Sequence, residues 1–581
     1  MIKQLLHALY SPQPQSPFGH ALSLKRRPRL TALLPHTLRM PTRAQVKTFL
    51  HQNGRLVTLC CILLAAFLGL GLRIATFASN KAKSATPYNI NTHPTPQIPA
   101  FYDRDGHLLA GSVPTFSLYA DATALVDTPD HVATQLGQLF PKLSRAKLEN
   151  RLATNKKFIW IKRHITPQQK RAFLKKGIPG VFIQRDQKRF YPQGRLFSHV
   201  VGLRDIDGMP LSGLEKGLKR RSGQNRPRPV VTSLSLKLQH IMHDELDKAM
   251  DYWGAQAANG LLLDAKTGEI LSMVSLPDFN PNAPHKAPAK TLFNRNISGA
   301  YEMGSVLKLH NVAMALEAGV TSLESRYETA KPIRLGRFAI TDFRGSQKSL
   351  TFREAFLRSS NIVNAKVAIQ AGADTQKGFF RKMGFFDPVR LQLAEISRPL
   401  VPKRWTESTL VVTSYGYSLS LGYLHLAQSV ASIVTGFTPP LTLEKRETAP
   451  IKKASIRPQT VRAMNMLLRQ AVREGHAKKA AVPGYIVGAK TGTANILENN
   501  RYQNGQNRTT CIATFAGPEN HKSATGKSKS ANGAPPRYVL VVSLERPEAR
   551  PETFGFTTAG WNAAPTTAKI LKRMAPFLRP F

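Results

Sequence analysis

Ser305 and Lys308 stand three residues apart in YEMGSVLKLH, Tyr301 to His310, just behind Gly304 and where the pattern predicts a helix running to Gly319. Residues three apart share one face of a helix, so a hydroxyl and an amine can meet there. A serine hydroxyl is a poor nucleophile until a base takes its proton, and lysine is that base only when burial and neighbouring positive charge hold it neutral. The unpaired N–H groups of a helix start favour negative charge on a tetrahedral intermediate. Alone the pair says little: serine and lysine are common, and a solvated Lys308 in a first turn is the plainer reading.

Two further groups change that balance. RSSNIVNAK supplies Ser359 and Asn361, and GAKTGTAN supplies Lys490, Thr491, Gly492 and Thr493 on an expected strand. Each has an ordinary alternative: Ser359 and Asn361 can cap a helix, and Lys-Thr-Gly recurs at 266–268 as a plain turn. Only the copy at 490 lies inside an apolar strand and downstream of the other boxes. In the order SxxK, SxN, KTG the three form the signature of penicillin-binding proteins and class A β-lactamases. One metal candidate exists, His240, His243 and Glu245 on one helix, but no further ligand set completes a shell, so ordinary helix polarity is preferred. No metal and no cofactor is expected.

These groups need elements to hold them. A chain of 581 residues is too long for one core, so two or more domains are expected. With 82 Lys+Arg against 35 Asp+Glu the charge is +47, which points to an anionic environment without naming it. Nucleic acid would be the first candidate on charge alone. Yet there is no Cys/His finger, no RNP-like aromatic box and no concentrated basic helix, and no nucleic-acid partner is expected. Of three cysteines, Cys60 and Cys61 lie in an apolar run, which leaves Cys511 without an intramolecular partner in the folded body.

Residues 56–72, LVTLCCILLAAFLGLGL, carry no charge, and Arg73 can snorkel and extend the span to Ala78. One membrane anchor is expected at 56–78. The tail 1–55 holds nine Lys/Arg and no acidic residue, which by the positive-inside bias keeps it cytoplasmic and exports the remainder. Thr76 and Ala78 could pass as a signal-peptide cleavage site, but a 55-residue leader with several prolines is an odd n-region, and a retained anchor is preferred.

Residues 79–97 read as a polar linker and 98–228 as a mixed domain, in which HLLAGSVPTFSLYAD is extended with a break at Pro114 and TPQQKRAFLKKG is a capped helix closed by Gly177. From 229 to 581 helices lie between apolar strands at both ends of the region, an α+β pattern whose antiparallel sheet gathers sequence-distant strands. GLLLDAKTGEILSMVS reads as a hairpin, the final helix as roughly 565–577, and the Ser/Lys/Gly/Ala loop at 518–536 as unstructured.

With these boxes in order, the chain resembles the class B penicillin-binding proteins, most closely the septal cell-division transpeptidases of Gram-negative bacteria. YDRDGHLLA, RFYPQG, SGLEKG, TGEILSMVSLPDFNPN, YEMGS and TAGWNAAP carry the likeness beside the three boxes, the last two in the manner of alphaproteobacterial division enzymes. The resemblance implies a single transmembrane helix, an elongated pedestal (dimerisation-type) domain and a penicillin-binding domain of serine β-lactamase-like fold. It implies a D,D-transpeptidase that cross-links septal peptidoglycan. Its substrate would be a stem pentapeptide ending in D-Ala-D-Ala, its covalent inhibitors β-lactams, and its partners divisome membrane proteins including a septal glycosyltransferase. An elongation-type transpeptidase, a decayed divisome scaffold and a β-lactamase-related penicillin binder are the alternatives.

By the same resemblance Ser305 is the acylated nucleophile and Lys308 its base. Ser359 relays a proton to the departing amine, Asn361 holds the donor amide, Lys490 raises the potential beside Ser359, and Thr491 and Thr493 contact the terminal carboxylate or donor backbone. The N–H groups of Ser305 and Thr493 would form the oxyanion hole. Several positions depart from the family pattern. Ile98 and Pro99 replace an Arg-Gly pair, Val306 replaces the threonine after the nucleophile, and Ser418, Gly422 and Tyr423 stand where glycine, threonine and proline are usual.

Overall fold

The computed structural model describes residues 44, 54–84, 98–218, 228–336, 338–343, 348–451, 453–498, 501–522, 528–530 and 535–579. Most of the basic tail, residues 85–97 of the expected linker and much of the 518–536 loop lie outside the described residues.

Helix α1 spans Gly54–Ser84 and contains an apolar stretch, Thr58–Thr76, of mean hydropathy 2.2 with no part buried. It runs on into the stretch read as linker, because Asn80, Lys81, Ala82, Lys83 and Ser84 tolerate a helix and the first proline after the anchor is Pro87. This helix stands as a unit by itself and the elements from residue 98 onward form another.

The second unit begins with β1 (Phe101–Tyr102), β2 (Leu108–Ala120), α2 (Pro129–Leu139), α3 (Arg145–Leu152), β3 (Ile159–Ile165), α4 (Pro167–Lys176), β4 (Val181–Phe190), α5 (Ser198–Val201), α6 (Gly213–Gly217) and β5 (Val230–Val231). Helix α4 has the ends its sequence promised: a capping box between Thr166 and Gln169, and Gly177 left-handed at φ 62°. The break expected at Pro114 does not occur, and β2 runs straight through it. Pro114 faces Gln187 of β4, while β1 pairs β2 only at Leu108 and Ala110 and β3 only from Phe116 on, so β2 has an open edge beside Pro114, the kind of place where a strand tolerates a proline. Leu118, Val132, Leu136, Ile161 and Phe173 form a small core between this sheet and α2–α4.

There follow α7 (Leu236–Tyr252), β6 (Ala257–Asp264), β7 (Ile270–Leu276), β8 (Tyr301–Glu302), α8 (Lys308–Ala318), β9 (Arg326–Glu328), β10 (Ile333–Leu335), β11 (Phe338–Ile340), β12 (Ser349–Thr351), α9 (Phe352–Arg358), α10 (Asn361–Ala371), α11 (Ala373–Lys382), α12 (Glu407–Ser414), β13 (Ser420–Leu421), α13 (Tyr423–Thr435), α14 (Pro458–Arg473), β14 (Tyr485–Glu498), β15 (Arg501–Pro518), β16 (Asn520–Lys522), β17 (Ser528–Ser530), β18 (Tyr538–Glu545) and α15 (Ala563–Met574). The main sheet is antiparallel in the order β14-β15-β18-β6-β7, so its two halves come from opposite ends of this region. Every residue of β6 and β7 is buried, because helices cover both faces. Helices α7 and α15 pack together on the sheet, and α8, α13 and α14 form a second group against it.

The KTG copy at 266–268 is the β6–β7 turn, with Gly268 at φ 77°. Within the 518–536 loop part of the described chain is regular: β16 pairs antiparallel with β17, Asn520 opposite Ser530. Polar residues can satisfy a short two-stranded ladder without burying a face, which composition alone did not reveal. His243 contacts Asp278 at 2.9 Å and Glu245 contacts Arg573 at 2.6 Å, so two of the three candidate metal ligands are engaged by other side chains.

Candidate active site

Ser305 does not start the α-helix itself. It sits in a 3-10 turn, Gly304–Val306, and Lys308 opens α8. The turn lies against β14 because Gly492 has no side chain: a Cβ there would come within 2.6 Å of both the Val306 backbone nitrogen and its Cγ2. Gly304, at φ 52°, donates its N–H to the Gly416 carbonyl at 3.0 Å, and Gly416, at φ 105°, approaches so closely that a Cβ would fall 1.8 Å from the Gly304 oxygen. Val306 is wholly buried over Gly492, a place that suits a β-branched apolar side chain.

Ser305, Lys308, Ser359, Asn361, Thr491, Gly492 and Thr493 line one cavity of about 690 Å³. Lys490 stands behind it, 0% exposed, and Lys308 is 1% exposed. The Lys308 amine donates to the Ser359 carbonyl at 2.5 Å and to the Ser359 hydroxyl at 3.2 Å; among the described residues these are its hydrogen bonds, and Ser305 is not among its partners. The Lys490 amine donates to the same hydroxyl at 3.1 Å and to the Thr491 carbonyl at 2.8 Å. The Ser359 hydroxyl is thus shared by two buried amines.

Burial sets the electrostatics of both amines. Desolvation pulls Lys308 down to about 7, opposed by the charge of Asp342. Lys490 is pushed well below its ordinary range by burial and then by the Lys308 charge. On the neighbouring strand the buried Cys511 thiol is pushed up to about 12 by desolvation. Such a site keeps an amine uncharged near neutral pH, which is what abstraction of a hydroxyl proton requires.

Ser359 is held at φ 60° as the residue that closes α9, and Ser360 caps α10 through its hydroxyl to the Val363 N–H. Sequence reasoning missed the residue that fixes this bend. Asp342 accepts the N–H groups of Asn361 at 2.6 Å and Ile362 at 3.1 Å and the Ser360 hydroxyl at 2.7 Å. No periodicity marks it; it lies on a loop that only folding brings to the start of α10. The Asn361 amide donates to the Thr341 carbonyl at 2.8 Å. Thr493 accepts the Ala559 N–H at 3.1 Å, which ties the TAGWNAAP segment to the strand.

Glu302 was missed as well. Its carboxylate accepts the Ser418 N–H at 2.7 Å and the Tyr502 hydroxyl at 3.1 Å, and burial raises its affinity for a proton. Ser418 takes φ 61°, the conformation the usual glycine would adopt. Tyr423 opens α13 inside the core, 1% exposed, donating to the Ser543 hydroxyl at 2.8 Å and lying 5.3 Å from the Tyr301 ring. It is the first helical residue, a position that also suits proline, so this departure alters the core and not the cavity wall.

Comparison with known proteins agrees with the geometry. Residues 260–553 match the penicillin binding protein transpeptidase domain, and residues 100–220 match the penicillin-binding protein dimerisation domain. The chain is 31% identical over 487 residues to the probable peptidoglycan D,D-transpeptidase FtsI of Caulobacter vibrioides, covering 82% of this chain and 80% of that protein. It is 30% identical over 554 residues to the probable peptidoglycan D,D-transpeptidase PenA of Neisseria gonorrhoeae, covering 88% and 91%. It is 28% identical over 485 residues to the peptidoglycan D,D-transpeptidase FtsI of Escherichia coli, covering 77% and 79%.

Proposed function

Because the chain belongs to the penicillin-binding transpeptidases, with the dimerisation domain and the transpeptidase domain of the FtsI type, we propose that it cross-links septal peptidoglycan as a penicillin-sensitive serine D,D-transpeptidase through Ser305. The observation that carries this is the Ser359 hydroxyl lodged between the Lys308 and Lys490 amines in the cavity that Ser305 lines.

Ser305 Oγ attacks the carbonyl of the penultimate D-alanine of a donor stem, and the neutral Lys308 amine takes its proton. The backbone N–H groups of Ser305 and Thr493 hold the oxyanion. As the C–N bond breaks, Ser359 passes its proton to the departing D-alanine amine and takes in its place the one held by Lys308, whose amine lies 3.2 Å from its hydroxyl, with Lys490 as its other neighbour. Asn361 holds the donor amide through its side-chain carbonyl oxygen, its amide nitrogen being engaged with Thr341. Thr491 and Thr493, on either side of Gly492, receive the terminal carboxylate. An acceptor amine then attacks the ester, forms the cross-link and returns the serine.

We also assign 98–228 to the pedestal and 229–581 to the catalytic domain, a division that the two domain matches support. Helix α1 would anchor the chain once in the inner membrane with the basic tail cytoplasmic and the domains periplasmic, beside divisome proteins and a septal glycosyltransferase. Depletion of the protein should give filaments; rounded cells would assign it to elongation.

The direct test is labelling of the full-length protein in detergent by a fluorescent penicillin, with mass spectrometry of the labelled peptide. The label is expected on Ser305, stable for many minutes, and absent in Ser305→Ala. A label on another residue, or release within seconds as in a β-lactamase, contradicts the reading.

A further inference from the structure

One wall of the cavity carries cations that the mechanism leaves unused. Arg358, at the end of α9, and Lys478 and Lys479, in a short 3-10 turn, all line it and are all exposed. Among the described residues no carboxylate closes an ion pair with any of the three; Glu354 and Glu552 feel Arg358 and Lys479 only at longer range. Among the described residues that line the cavity, Glu474 is the one acidic side chain.

The wall is fixed, not a loose fringe. His476 is bonded to the Leu357 carbonyl through both its backbone N–H at 3.2 Å and its ring Nδ1 at 3.0 Å, which ties the 474–479 segment to the end of α9. A Cβ on Gly475 would meet Ala471 Cα at 2.8 Å and the Leu357 oxygen at 3.2 Å, so the segment lies close against that helix end. The Lys479 amine lies 3.4 Å from the centroid of the Trp561 ring, which holds it at the cavity mouth.

We infer that Arg358, Lys478 and Lys479 form an acceptor subsite that reads a carboxylate close to the attacking amine. The inference rests on the transpeptidase reading above. Ser359 hands its proton to the leaving amine, and an incoming amine must retrace that path to reach the acyl-enzyme. Arg358 and Ser359 line the same cavity as Lys478 and Lys479, which sets the cationic wall beside the hydroxyl that serves the leaving and entering amines. The donor carboxylate has its own hydroxyl partners in Thr491 and Thr493, and the wall is left for the acceptor. Exposed cations in a concave site raise the local concentration of an anionic ligand and lose effect with salt.

The test uses the full-length protein in detergent, acylated by a thioester donor, with two acceptors: D-alanine, which bears a carboxylate beside its amine, and D-alaninamide, which does not. The variant replaces Arg358, Lys478 and Lys479 together by glutamine. Its acylation by fluorescent penicillin should stay within about twofold of the wild type, and its preference for D-alanine over the amide should fall about fivefold or more. Added salt should lower the same preference in the wild type. An unchanged preference overturns the inference. Equal loss of penicillin acylation also overturns it, because the wall would then serve the donor. A wild-type protein that takes no penicillin instead sinks the transpeptidase reading, and so tells the two failures apart.

Discussion

Lys308 is a buried amine whose partners are a hydroxyl and a carbonyl, and its low proton affinity is both its use and its cost. If it is the base, acylation by penicillin rises about tenfold per pH unit below 7 and levels off above it, since only the neutral amine accepts a proton. Labelling rates measured from pH 5.5 to 8.5 check this, and a flat profile would remove Lys308 from the role. The same shift sets the sign for stability. The unfolded lysine holds its proton up to about 10.5 and the folded one only to about 7, so the cost is full below pH 7 and is relieved as pH rises through that window. Lys308→Met, which keeps the volume and removes the charge, should therefore leave the thermal midpoint equal or higher while acylation falls by about 10²-fold or more.

At the scale of elements, the decisive piece is the bend between α9 and α10, where two helix ends meet and one carboxylate satisfies the second. Asp342 has two effects there: it fills the N-terminus of α10 with three hydrogen bonds, and its charge holds the Lys308 affinity higher than burial alone would. Asp342→Ala should cost about 1–2 kcal/mol of stability, read from thermal or denaturant unfolding. It should also move the rise of the acylation profile to lower pH. Asp342→Asn keeps one acceptor oxygen and loses the charge, so it should show the pH displacement with less loss of stability. A profile that stays in place in both variants would separate Asp342 from the lysine.

At the scale of the molecule, the first strands and the catalytic body share one core: Phe101, Leu109, Tyr191 and Leu214 pack in the cluster that also holds Leu238, Val312 and Val541. A buried ionic group pins this junction. Glu215 of α6, 0% exposed, contacts Arg189 and Arg204 at 2.5 Å each, and Arg189 also donates to the Pro99 carbonyl at 2.9 Å. That bond uses the backbone carbonyl, so it does not depend on the side chain at position 99. Helix α6 lies so close to the catalytic body that a Cβ on Gly217 would fall 1.9 Å from the Gln392 oxygen. Glu215→Ala strands two largely buried guanidinium groups and should lower stability by about 3–5 kcal/mol. Calorimetry of the full-length protein reads this as a lower midpoint, and an unchanged midpoint would mean that the group is solvated.

The sequence alone determined whatever depends on neighbours along the chain. It determined the capped α4, the hairpin of β6 and β7, the apolar run of α1, and the order of the three boxes that gave the family. Caps, turns and periodicity are local, so they are legible without the fold. It misjudged Pro114 and the 518–536 loop, because whether a proline N–H or a polar strand is tolerated depends on what lies beside it. Only the tertiary structure decided that Ser359 stands between two amines, that Asp342 holds the bend, and that Tyr423 belongs to the core. These are meetings of residues far apart in sequence, and they are set by how helices and strands pack, which no pattern along the chain encodes.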